Sequence, residues 1–211
     1  KVSPIFEKLN SPHYHILGNH DFSVAPQFKS TIKARLNLDS TYYRLSYTNW
    51  EVIVLDGTDI STYKTTDSIE INRADSIRKH FLSMGRTQAL PWNGAIGTAQ
   101  LKWLDTELKK IDKSNKNTLV LCHFPVYPES NANLWNDKEV ITILEKHVSV
   151  KAFINGHHHP GNYQVKEGIH YVTLQGMVLT TNENSFSIGH LDKNKIVIDG
   201  FGREPNRTLK F

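Results

Sequence analysis

The sequence predicts an α/β layered domain. Amphipathic helical segments alternate with short apolar runs up to about residue 155. From residue 160 onward the pattern changes to strands separated by Gly, Asn and Lys turns. Three segments rich in metal-binding side chains each stand at the end of an expected strand, where open α/β sheets gather their sites.

The elements follow in order. His13-Tyr14-His15-Ile16-Leu17 reads as a short strand ending at Gly18. Residues 23–38 read as loop with one helical stretch. Residues 42–47 and 50–55 are β-rich and joined at Thr48-Asn49, which predicts a hairpin. Segment 59–95 is polar, holds a helix near 67–83, and ends in the breaker-rich Leu90-Pro91-Trp92-Asn93-Gly94. It reads as an excursion from the core rather than a second domain. Thr98 is expected to cap a helix whose apolar stripe is Leu101, Leu104, Leu108 and Ile111. Residues 119–124 and 150–154 read as buried strands, with a helix over 136–147 between them. Strands are expected at 162–166, 169–174, 184–191 and 195–201.

A length of 211 residues suits one domain. The single cysteine, Cys122, excludes an intrachain disulfide and any site built from several thiolates, and it reads as a small core residue. The net charge of +4 comes from 25 basic and 21 acidic residues in small mixed groups. With no long basic run, a nucleic-acid partner is not expected. No apolar run approaches the ~18 residues of a membrane span, and no signal pattern opens the chain. Histidine, at 11 residues, is the unusual count.

Three segments concentrate the chemistry: Gly18-Asn19-His20-Asp21, Cys122-His123-Phe124-Pro125 and Gly156-His157-His158-His159. His123, His157 and His159 each offer a neutral imidazole nitrogen, and Asn19 a carbonyl oxygen. Such a sulfur-free donor set suits Mn, Fe, Zn or Ni. In an extended turn His157 and His159 would point the same way and His158 the other. His20 beside Asp21 suggests a proton-handling pair in which the carboxylate orients the ring. Each segment alone has an ordinary explanation, as a core histidine, a surface histidine run or turn chemistry. Three such segments at the ends of successive strands are hard to obtain by accident.

With these motifs in this order and spacing, the chain resembles the calcineurin-like metallophosphoesterases. More narrowly it looks like the manganese-dependent ADP-ribose/CDP-alcohol diphosphatases. The narrower resemblance rests on Trp92-Asn93-Gly94, Gln100-Leu101-Lys102-Trp103-Leu104, His123-Phe124-Pro125-Val126-Tyr127-Pro128-Glu129, Leu134-Trp135-Asn136, His159-Pro160-Gly161-Asn162-Tyr163 and Gly202-Arg203-Glu204-Pro205-Asn206-Arg207. The resemblance implies a four-layer α/β/β/α sandwich with two divalent metals, manganese first and iron or zinc as alternatives. Asn19, His123 and His157 would hold one metal and His159 the other. His20 would protonate the leaving oxygen or stabilise the transition state, and Asp21 would orient its ring. The implied activity is hydrolysis of phosphoanhydride bonds in nucleotide-type diphosphates by a metal-activated water. That chemistry needs no serine or cysteine nucleophile and no Walker-type loop, and the sequence has neither signature. Trp92, Asn93, Tyr127, Trp135 and Tyr163 are candidates to hold the base or sugar, and Arg203 to grip a phosphate oxygen. A generic phosphodiesterase or phosphomonoesterase is the alternative enzyme reading, and an inactive scaffold the non-enzyme one.

The sequence departs from the family in one respect. The Asp-x-His and Gly-Asp-x-x-Asp motifs that precede the Gly-Asn-His loop have no match in residues 1–17. Residues 1–211 are therefore expected to be one N-terminally truncated domain lacking its first strand-helix-strand part. Sequence upstream of Lys1 should carry both motifs. A cytoplasmic location is the expectation on the same reading.

Overall fold

A computed structural model describes residues 8–211. The apolar runs of the sequence become the middle of a parallel sheet. Strand β2 (Trp50–Val54) is buried along its whole length, as is β6 (Ile169–Thr173). Strands β3 (Asn117–Leu121) and β4 (Val150–Asn155) lie between them. Runs without polar alternation mark strands covered on both faces. β2, β3, β4 and β6 are mutually parallel, and each flank ends in an antiparallel partner, β1 (Tyr43–Ser46) and β5 (Asn162–Lys166). The sheet order is β1-β2-β3-β4-β6-β5.

Helices cover one face. In α3 (Thr98–Ile111) the residues Leu104, Leu108 and Ile111 recur at helical spacing and are buried. They pack with Val140 and Leu144 of α4 (Asp137–Leu144) over Ile53, Val120, Phe153 and Tyr171 of the sheet. On the other face Ile196, Ile198 and Leu209 pack against Val52, Leu119, Ala152 and Val172. They come from the smaller antiparallel sheet of β7 (Ser185–Leu191), β8 (Lys195–Gly202) and β9 (Arg207–Lys210). The described residues thus build three layers, helix, sheet and sheet. Among them no helix covers the outer face of the smaller sheet, and none is long and apolar enough to cross a membrane.

The expected hairpin, helices and buried strands form within a few residues of their expected ends. Residues 13–17 do not form a strand. A strand needs a ladder partner, and among the described residues no strand pairs with them. They lead into short 3₁₀ turns at Asn19–Phe22 and Pro26–Thr31 and the single-turn helix α1 (Ile32–Arg35). Thr98 is the first helical residue of α3, and Gly97 occupies the cap. Gly97 N–H donates to Asp59 Oδ2 at 2.9 Å, so the capping oxygen comes from a distant loop.

The polar excursion is bound tightly to the core. Its helix α2 (Ser68–Ser83) is capped by Asp67, whose side chain accepts from Ile69 N–H. Past the helix, Arg86 pairs with the buried carboxylate of Asp137 at the start of α4. Ile60 and Ala95 form an antiparallel bridge that closes the excursion on itself. Residues 91–97 are therefore presented to the loops at the carboxyl ends of the strands.

Glu51 on β2 supplies an acid-sensitive contact. Burial pushes its carboxyl up, but bonds from Lys116 and Ser46 and the nearby Arg44 more than offset this and hold it below the ordinary glutamate value. A depressed native pKa means stability present above the unfolded value of about 4.3 and lost as pH falls through the native value. Glu51→Gln should therefore flatten the acid limb of a stability-against-pH curve between about pH 5 and 3. Parallel acid limbs for the two proteins, measured by urea unfolding, would refute this.

Candidate metal centre

The three histidine and asparagine loops meet at the carboxyl edge of the parallel strands. His123 follows β3, and Gly156 to His159 follow β4. The two loops are tied by Gly156 N–H donating to His123 O at 3.0 Å. The Gly18 turn is held against them by flanking apolar anchors, since Leu17 and Phe22 are buried with Ile32 in a small cluster.

Glycine is required at position 18 by proximity. A Cβ there would lie 2.8 Å from three atoms of the His123 ring. The turn's backbone therefore lies flat against the imidazole, which places Asn19 beside it. Asn19 Oδ1 is 3.1 Å from His123 Nε2. On the other side His157 Nδ1 is 3.2 Å from the same nitrogen. Donors bound to one cation at about 2.1 Å stand roughly 3.0–3.4 Å apart, so His123 Nε2 stands at the spacing of a neighbouring ligand from each of the other two atoms. Among the described residues no three His, Cys, Asp or Glu side chains converge on one point. The convergent set is two imidazoles and an amide.

Burial pushes His123 down to about 3, helped by the neighbouring histidines, and His157 down to about 4 for the same reasons. Both rings are therefore neutral near pH 7 and offer lone pairs. The buried Phe124 packs edge-on against both, with ring centroids 4.9 Å from His123 and 4.5 Å from His157.

His157 does not follow the extended geometry expected of its loop. Its φ is +62°, a left-handed conformation rare outside glycine. That backbone, rather than a two-residue alternation, aims its ring at His123. His158 borders the Pro125, Tyr127 and Pro128 loop, away from the cluster. His159 lines the same cavity as His123 and His157, a space of about 450 Å³. Its ring lies against Gly176, where a Cβ would come within 2.7 Å. His20 is exposed, with Nδ1 3.4 Å from Ser23 Oγ. Asp21 does not bond to it. The Asp21 carboxylate accepts from Gly18 N–H at 2.8 Å and closes the turn.

The substrate-side candidates scatter. Trp135 is wholly buried in the core with Ala89 and Ala95, its indole N–H donating to Leu90 O at 3.0 Å, and it cannot stack on a ligand. Tyr163 bonds His170 Nδ1 at 2.9 Å and lies parallel to that ring, on the side of the sheet that faces β9. Tyr127 packs on Tyr171 at 5.2 Å beneath Lys166. Arg203 donates to Gly176 O at 2.6 Å and to Gln175 Oε1 at 3.3 Å, so it braces the loop behind His159 rather than reaching the cavity as a free cation. Trp92 is 53% exposed on the 91–97 segment and keeps an open face. Asn93 is fully buried, and its Oδ1 meets His157 Nε2 at 2.8 Å. Sequence reasoning missed the Gln175-Gly176 loop, for which the bare sequence carries no signal beyond a glycine after a strand.

The tight fit at Gly18 makes a sharp prediction. Gly18→Ala should leave the fold formed, because the turn is peripheral, but push Asn19 and His123 apart. Divalent-metal affinity should fall at least tenfold with little change in Tm. A variant that binds metal like the wild type would show that the ring accommodates the methyl.

Comparisons with known proteins bear on the family and the fold. The calcineurin-like phosphoesterase family matches residues 1–161. A manganese-dependent ADP-ribose/CDP-alcohol diphosphatase of Arabidopsis thaliana is 32% identical over 219 residues, covering 94% of this chain and 70% of that protein. The human protein of the same name is 24% identical over 242 residues, covering 100% of this chain and 71% of that one. The crystal structure of a dimetal phosphatase from Danio rerio superposes with a TM-score of 0.83 at 26% identity, over 94% of this chain and 72% of the other. Fold and sequence agree, and the chain belongs to the calcineurin-like phosphoesterase family of metal-dependent phosphohydrolases.

Proposed function

We propose hydrolysis of the phosphoanhydride bond of nucleotide-type diphosphates of the ADP-ribose or CDP-alcohol class, with manganese as the working metal. The observation that carries the metal reading is the spacing of Asn19 Oδ1, His123 Nε2 and His157 Nδ1 at 3.1 and 3.2 Å. The substrate class rests on the names of the relatives. Asn19, His123 and His157 would hold one cation, and His159, on the wall of the same cavity, would serve a second. A pair of divalent cations there supplies charge neutralisation and an activated water for attack at phosphorus.

This chain's residues do the rest. The Gly18 turn and the Gly156 loop fix the donors, and Phe124 excludes water from behind them. His20, exposed and outside the convergent donors, would deliver a proton to the leaving oxygen. Three uncharged donors leave a dication's charge unbalanced, which calls for carboxylates of the kind the Asp-x-His and Gly-Asp-x-x-Asp motifs provide. Trp92 offers the open aromatic face for a base.

The test is turnover by the purified protein with Mn²⁺ against ADP-ribose, CDP-choline and p-nitrophenyl phosphate. Manganese-stimulated cleavage of the two diphosphates with little release from the monoester is the expected outcome. Preference for the monoester would replace the proposal with a phosphomonoesterase. Trp92→Ala should raise KM for ADP-ribose about fivefold, on the order of 1 kcal/mol, with kcat nearly unchanged. An unchanged KM would remove Trp92 from the substrate site.

A further inference from the structure

Asn93 sits 64 residues before His157 in sequence, at the end of the excursion, and is wholly buried. Its amide orientation is fixed by its own bonds. Nδ2 donates to Gln88 O at 2.9 Å and to Asn131 O at 2.8 Å, which uses both of its hydrogens on backbone carbonyls. A flipped amide would face those carbonyls with another oxygen and lose both bonds. Oδ1 is therefore the atom that faces His157 Nε2 at 2.8 Å, and an oxygen without a hydrogen can only accept. The proton of that contact belongs to His157 Nε2.

A neutral imidazole has one N–H. With it on Nε2, the lone pair lies on Nδ1, the nitrogen facing His123 Nε2 at 3.2 Å. The backbone beneath Asn93 is held as firmly as its side chain. Gly94 is pressed against Gly57 O, which would lie 2.2 Å from a Cβ at that position. Trp135 N–H donates to Gly94 O at 2.8 Å, and Ala95 and Ile60 exchange two bonds of 2.9 Å. The excursion is thus a rigid arm that ends on one ring nitrogen.

We propose that Asn93 is a positioning residue that holds His157 in its Nε2–H tautomer and so turns the Nδ1 lone pair toward the cation. The inference rests on His157 being a metal ligand, as read above. It also gives the excursion a purpose: residues far from the metal loops in sequence set the chemical form of a ligand within them. Outer partners of this kind typically change metal affinity 10–100-fold when removed.

The test uses the whole chain, stripped of metal by chelation. Long-range ¹H–¹⁵N correlation spectra report which nitrogen of His157 carries the proton, and titration with Mn²⁺ or Zn²⁺ gives the affinity. Wild type should show the Nε2–H form alone. Asn93→Ala should show a mixture of tautomers and bind metal 10–100-fold more weakly. If Asn93→Ala fails to fold, the milder Asn93→Ser, whose shorter hydroxyl cannot span the same distance, replaces it with the same expectation. A single Nε2–H tautomer in the folded Ala or Ser variant, or unchanged affinity there, overturns the proposal. His157→Ala binding metal as tightly as wild type also overturns it, but through its premise, and the tautomer spectra tell the two failures apart.

Discussion

His123→Ala should abolish manganese binding at micromolar metal and lower kcat/KM by on the order of 10³-fold or more, with the chain still folded. The size follows from position. His123 Nε2 lies within neighbouring-ligand distance of both Asn19 Oδ1 and His157 Nδ1. Removing His157 would leave Asn19 and His123 as a pair, whereas removing His123 leaves two donors with nothing between them. Lewis-acid stabilisation of a phosphoryl transition state is worth several kcal/mol, and each 1.36 kcal/mol is a factor of ten in rate. The ring also fills the space over Gly18, so alanine leaves the turn without its backing. Metal content by atomic absorption, read beside steady-state kinetics, decides the matter. Retained metal with lost activity would move His123 from holding the cation to acting on substrate.

The contrast between His123 and Asn93 shows what the bare sequence could and could not disclose. His123 was legible because it ends a run of apolar residues, and strand ends gather sites whatever the family. The same holds for Asn19 and the Gly156 loop. The α3 stripe was legible because Leu104, Leu108 and Ile111 repeat at 3.6-residue spacing and nothing in the structure overrides it. The role of Asn93 depends on a bond across 64 residues, and on two carbonyls that face it only after the excursion has folded back. No local pattern encodes that. The aromatic candidates misled for a related reason. Trp135 stands between Leu134 and Asn136, a neighbourhood that looks the same whether the ring is sunk beneath Leu90 or open to a ligand. The strand expected at 13–17 failed because a local pattern does not specify a pairing neighbour. Strand β9 went unnoticed because four residues with one buried leucine carry too little pattern, and pairing with β8 decides their conformation.

His20→Ala separates proton delivery from metal holding, and here the predicted loss is selective. With ADP-ribose or CDP-choline, kcat should fall by about 10²–10⁴-fold, the usual range for a general acid, while bound manganese stays at the wild-type level. The structure supports the split. His20 is exposed, and its Nδ1 faces Ser23 Oγ. Asp21 contributes through the turn, since its carboxylate accepts from Gly18 N–H, and Asp21→Asn should therefore disturb metal affinity through Gly18 more than it disturbs proton transfer. The leaving group supplies the control. The phosphate monoester released from a diphosphate, with a second pKa of about 6, is a weakly basic leaving group, whereas an alkyl ester of a nucleoside monophosphate must release a strongly basic alkoxide. The deficit of His20→Ala should grow with the alkyl ester if the ring is the acid. A deficit of the same size with both leaving groups, or a matching loss of manganese, would show instead that His20 binds the metal or the phosphate.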